Sequence, residues 1–96
     1  MRKTEIFQDI LNTVCHVTEI SPQEILSEDR REEVVGARAI LVRLLSENGF
    51  YIGEIAACMK RTRPSIRYLL KSFEGRSKTR KMIRINMEDA QGCLDA

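Results

Sequence analysis

Residues Val34 to Leu45 (VVGARAILVRLL) constrain the fold more than any other stretch of the chain. At about 100° per residue, their apolar side chains surround most of a helix, and only Gly36, Arg38 and Arg43 interrupt them. A helix with no polar face has to be enclosed by other elements, so the rest of the chain is expected to wrap around this one. Upstream, Ile6, Phe7, Ile10, Leu11, Val14 and Val17 recur at spacings of three and four, which predicts an amphipathic helix over roughly residues 4–19. Ser21-Pro22-Gln23-Glu24 joins an N-cap serine, a proline suited to the first helical position and a glutamate able to close a capping box. A short helix running into Ile25 and Leu26 is expected there. Asn48-Gly49 supplies a stop for the central helix, and a further helix is expected over roughly Ile52 to Met59. Strand signals are scarce, with no useful period-two alternation and 5% aromatic residues. The expected fold class is all-α, a small bundle of about five helices.

Ninety-six residues make one domain, and the scaling of surface with mass has about 65% of the unfolded chain's surface buried on folding. Residues 1–74 are expected to form that domain, and 75–96 a basic C-terminal extension whose structure the sequence leaves open. No apolar run reaches the roughly 18 residues of a membrane span, and Met1 to Phe7 lacks the apolar core of a signal peptide. A cytoplasmic protein is therefore expected. Cys15, Cys58 and Cys93, odd in number and far apart, are read as reduced thiols.

The formal net charge of +2 conceals a strong asymmetry. Lys60 to Arg84 holds ten basic residues and one acid, Glu74, whereas the remainder holds six basic and thirteen acidic residues. Such a distribution points to a polyanionic partner, nucleic acid ahead of an acidic membrane surface. The bland alternative is a solvated charged face.

Within Tyr51 to Glu74 (YIGEIAACMKRTRPSIRYLLKSFE), Ile55, Ala56 and Met59 can line the inner face of one helix. Ile66 and Leu69 then fall where a second helix packs across a tight turn, a helix-turn-helix spacing. Ala56 is small where the two helices cross, and Pro64 suits a first turn. On the second helix, Ile66, Leu69, Leu70 and Phe73 share one face, while Arg63, Arg67 and Lys71 share another bordered by Tyr68. An inward apolar seam with outward basic residues suits insertion into a major groove, where arginine can pair with guanine and lysine can neutralise phosphate. Lys60, Arg61 and Thr62 in the turn are candidate DNA contacts as well. Arg76, Lys78, Arg80, Lys81 and Arg84, which follow the helix, are expected to add affinity without sequence preference.

The leading helix, the S-P-Q-E-I-L segment, VVGARAILVRLL and YIGEIAACM followed by a basic helix resemble, in that order, the C-terminal DNA-binding domain of the bacterial chromosomal replication initiator DnaA. The resemblance covers roughly Ile6 to Phe73. It implies that the second helix of the motif enters the major groove of duplex DNA and that the loop before the central helix meets the backbone and minor groove. Carried onto this chain, it makes Arg63, Pro64, Ser65, Arg67, Tyr68 and Lys71 recognition positions and matches Arg38 to a family arginine at the start of the central helix. The chain departs from the pattern in three places. The family's Asp-His-Thr signature reads Arg63-Pro64-Ser65, its loop arginine falls on Gly36, and its basic loop is here S-E-D-R-R-E-E, with four acids beside two arginines.

Enzymatic readings find no support. His16 beside Cys15 has no partner at metal-ligand spacing, and Glu28-Asp29 and Glu32-Glu33 sit in a charged loop without a histidine or glycine-rich companion. No GxxxxGK[ST] run is present for a nucleotide. The expectation is a non-enzymatic, stand-alone, initiator-like protein that binds double-stranded DNA sequence-specifically, with no metal, cofactor or membrane. The alternative is a protein-interaction module or transcriptional regulator that uses the same fold without origin recognition.

Overall fold

A computed structural model describes residues 2–95, which form α1 (Lys3–Thr18), α2 (Pro22–Ile25), α3 (Glu32–Glu47), α4 (Ile52–Met59), α5 (Arg63–Thr79) and α6 (Lys81–Asp95). The architecture is all-α, with no strand among the described residues. Helix α3 is its centre. Val34 and every residue from Gly36 to Val42, with Leu44 and Leu45, are buried as α1, α2, α4, α5 and α6 pack around it.

Local chemistry sets the helix ends. The Ser21 hydroxyl accepts the Glu24 N–H at 3.1 Å and Glu24 Oε1 accepts the Ser21 N–H at 3.2 Å, so the expected capping box is closed. At the other end of α2 a four-residue helix cannot satisfy its own carbonyls. The buried Arg38 does so from α3, with Nε donating to the Ile25 carbonyl at 2.8 Å and Nη2 to those of Ser27 at 2.9 Å and Glu24 at 3.2 Å. Helix α3 stops at Asn48, whose side-chain amide donates to the Leu44 carbonyl at 2.7 Å, and Gly49 follows in the left-handed region at φ +87°. Lys3 ties the start of α1 to the start of α4. Its ammonium reaches the Glu54 carboxylate at 2.7 Å and lies 5.2 Å from the ring centres of Phe50 and Tyr51.

Residues 75–95 are fully helical apart from the junction at Arg80. Helix α5 passes through Gly75 without a break, so the expected boundary after residue 74 falls inside a helix. Helix α6 then returns against α1, α3 and α5 and buries Ile83, Met87 and Ala90. It meets α3 at Gly36, where a Cβ would stand only 2.8 Å from Ile83 Cδ1. The described thiols of Cys15, Cys58 and Cys93 are all free. Partial burial pushes the pKa of Cys15 and Cys58 up, which favours the neutral thiol over the thiolate.

Candidate nucleic-acid interface

Helices α4 and α5 form the helix-turn-helix. Three bonds make its turn. The Arg61 N–H donates to the Ala56 carbonyl at 2.9 Å, the Lys60 N–H to Ala57 at 3.4 Å, and the Ser65 N–H to the Thr62 hydroxyl at 3.3 Å. The first two are the paired bonds of a Schellman end, and Lys60 occupies its left-handed position at φ 55°. Glycine usually takes that position because it has no Cβ to clash. Ile55, Ala56 and Met59 of α4 and Ile66, Leu69 and Phe73 of α5 are buried together, and this seam fixes the rotation of α5 about its axis.

That rotation turns Arg63, Arg67 and Lys71 outward, one above another at four-residue spacing, with Lys78 two turns further along the same face. These four and Lys60 are exposed and make no ion pair among the described residues. Arg63 lies back over α4, where a Cβ on Gly53 would come within 3.0 Å of its Nη2. Gly53 therefore gives the guanidinium room to lie flat. Tyr68 is 65% exposed at the border of the basic face, and Thr62 and Pro64 are exposed beside Arg63.

Four of the other expected contacts are built into the protein. Arg38 is 3% exposed, and burial with the neighbouring Arg61 charge lowers its pKa. Arg61 bridges the turn to the α2–α3 loop, donating to the Ser27 carbonyl at 2.7 Å and the Ser65 hydroxyl at 3.3 Å. Ser65 is thereby engaged twice. Arg76 points away from the outer face to Glu32, with Nε 3.0 Å from Oε1.

Arg38, Arg61, Ser65, Tyr68 and Arg76 line a groove of about 530 Å³ between the α2–α3 loop and α5, together with Arg30, Glu28 and Glu32. Three of the loop's four acids are ion-paired within the protein. Arg31 holds Asp29 at 2.8 Å and also pairs with Glu24 and Glu33, while Glu32 binds Arg76 and Arg80. Arg30 is exposed with no ion pair among the described residues, which adds a free cation on the loop side that the sequence pattern did not single out. Gly53 and Glu32 were missed as well, because their partners lie 10 and 44 positions away in the chain.

Among the described residues, no cluster of three or more His, Cys, Asp or Glu side chains is placed to hold a metal, and no helix is long and apolar enough to cross a membrane. No family model matches the chain. Over 77 residues it is 27% identical to the chromosomal replication initiator protein DnaA of Pseudothermotoga lettingae, a match that covers 79% of this chain. The chain spans only 17% of that relative's length, so the similarity is to a domain-sized part of a much larger protein.

Proposed function

We propose that this protein binds double-stranded DNA sequence-specifically, without catalysis, by inserting α5 into the major groove. The observation that carries this reading is the row Arg63, Arg67 and Lys71, exposed and unpaired opposite the buried seam Ile66, Leu69 and Phe73. Arginine donates two parallel bonds to guanine O6 and N7, and its neighbours at four-residue spacing reach the flanking phosphates. The similarity to DnaA supports DNA as the partner. The role we assign is initiator-like recognition of short duplex sites. Regulation of transcription by the same contacts is distinguished from it by where the selected sites lie.

The test is a titration of random duplex over a range of salt, followed by selection of bound sequences from a random pool. Five of the free cations, Lys60, Arg63, Arg67, Lys71 and Lys78 on and beside the outer face of α5, give an expected slope of log affinity against log salt of about −5. An affinity that barely changes with salt, or a pool that never converges on a sequence, would overturn the corresponding half of the proposal. A liposome flotation run in parallel is expected to leave the protein unbound.

A further inference from the structure

Glu32 opens α3 at the edge of the groove beside the recognition helix. Its two carboxylate oxygens face Arg76, with Nε at 3.0 Å from Oε1 and Nη2 at 3.5 Å from Oε2, and Arg80 Nε adds a third contact at 3.3 Å. Both arginines come after Arg67 and Lys71 in the chain, and Arg76, about 14 Å along α5 from Arg67, is turned about 180° from it, toward the side that meets the α2–α3 loop. A phosphate diester offers guanidinium the same pair of oxygens that a carboxylate does. Two of the cations in the basic stretch, Arg76 and Arg80, are thus already occupied by Glu32.

We propose that Glu32 is a built-in competitor of the DNA backbone, holding Arg76 and Arg80 in a phosphate-binding subsite that its own carboxylate fills in the free protein. The proposal rests on the duplex-binding reading above and deepens it. Binding of a backbone phosphate at this subsite has to displace Glu32, so the pair lowers affinity for every duplex regardless of sequence. The ion pair and the phosphate contact exclude one another, and each weakens the other by the same factor.

The experiment measures binding of a random 20-base-pair duplex by fluorescence anisotropy at several salt concentrations, at temperatures where each variant's circular dichroism matches the wild type. Glu32→Gln keeps the side-chain volume and removes the charge. It is expected to bind about three- to tenfold more tightly, with a slope steeper by one to two units if both arginines then meet phosphate. Glu33→Gln removes the same net charge from a neighbour that does not touch Arg76, and it is expected to change affinity less than about twofold. The double variant Arg76→Gln/Arg80→Gln should cost the wild type little and erase the gain in the Glu32→Gln background. Three results would each overturn the proposal: no gain for Glu32→Gln, an equal gain for Glu33→Gln, or a gain that survives loss of both arginines. If neither wild type nor Glu32→Gln binds any duplex, the duplex-binding reading fails and this proposal falls with it.

Discussion

The basic region from Lys60 to Arg84 has two halves that are alike in composition and differ in how many of their charges are engaged within the protein. In the first, Lys60, Arg63, Arg67 and Lys71 face solvent without an ion pair among the described residues. In the second, Arg76 and Arg80 share Glu32, and Arg84 Nη1 donates to the Ser77 carbonyl at 2.8 Å, closing the C-terminal end of α5. Lys78 continues the free row along α5, and Lys81 at the start of α6 is also exposed without an ion pair among the described residues. Register explains the difference. Steps of four from Arg63 stay on the outer face, whereas Arg76 is rotated toward Ser65 and Leu69, the side that meets the α2–α3 loop. Local charge density therefore counts cations without telling which of them a partner can reach.

The sharpest way to break this comparison is to end the chain after Thr79. If α6 is a structural element, the truncation removes the buried Ile83, Met87 and Ala90 and uncovers α1 and α3. At about 1.5–3 kcal/mol for each large side chain, the expected loss is about 4–6 kcal/mol, a large share of the stability of a domain this size. A thermal melt should show a drop well beyond 10 °C or outright unfolding. A truncated chain that melts like the full one, and binds duplex with a salt slope shallower by several units, would instead make the tail a DNA-binding arm.

Single substitutions sharpen the contrast between the halves. Arg67→Ala is expected to cost about 1–3 kcal/mol on the preferred site and to relax preference at one base pair. Arg84→Ala, which loses only a helix-end contact, should change duplex affinity by less than about 0.5 kcal/mol. Equal losses from the two variants on specific and random DNA would show that the two halves act alike.

Much of this was legible in the sequence because it depends on periodicity. The enclosed helix at Val34–Leu45, the capping box at Ser21 and the split of α5 into an apolar seam and a basic row all follow from spacing alone. Helix α6 was left open, although Ile83, Met87, Ala90 and Leu94 keep steps of three and four, because the basic run before it and the polar residues between them weaken the pattern. The inward role of Arg38 was not legible. An arginine in an apolar helix is equally compatible with a DNA contact and with a clamp on carbonyls, and only the tertiary position of α2 decides. The same holds for Glu32 and Arg76, whose 44-residue separation leaves no local trace.

The turn itself offers a smaller and more exact probe. Lys60 holds a left-handed conformation at φ 55°, which costs an L-residue roughly 1–2 kcal/mol relative to glycine. Lys60→Gly is expected to raise stability by up to about 1 kcal/mol, since the greater freedom of glycine in the unfolded chain offsets part of the relief. It should also weaken duplex binding modestly and make the salt slope shallower by about one unit. Stability and affinity moving in opposite directions would place Lys60 in the free half. A variant that is both less stable and unchanged in binding would remove it from that half.

The smallest expected effect is in the acid range and concerns the internally paired charges. Glu24, Asp29, Glu32 and Glu54 all have pKa values lowered below the ordinary 4.5 of glutamate and 3.8 of aspartate. For Glu32 the leading cause is the hydrogen bond from Arg76, and for Glu54 the one from Lys3. A carboxyl whose folded pKa lies below its unfolded value adds stability that is complete above the unfolded pKa and disappears as pH falls through the folded one. The melting temperature should therefore be level down to about pH 5 and decline below about pH 4.5. Because these groups are exposed or only half-buried, the decline should be shallow and should flatten further at high salt. Glu32→Gln should remove part of that acid-range slope, whereas Glu33→Gln should leave it intact. If Glu32→Gln leaves the whole decline in place, the Arg76–Glu32 pair carries no free energy in solution, and the arginines of the second half are as available to a partner as those of the first.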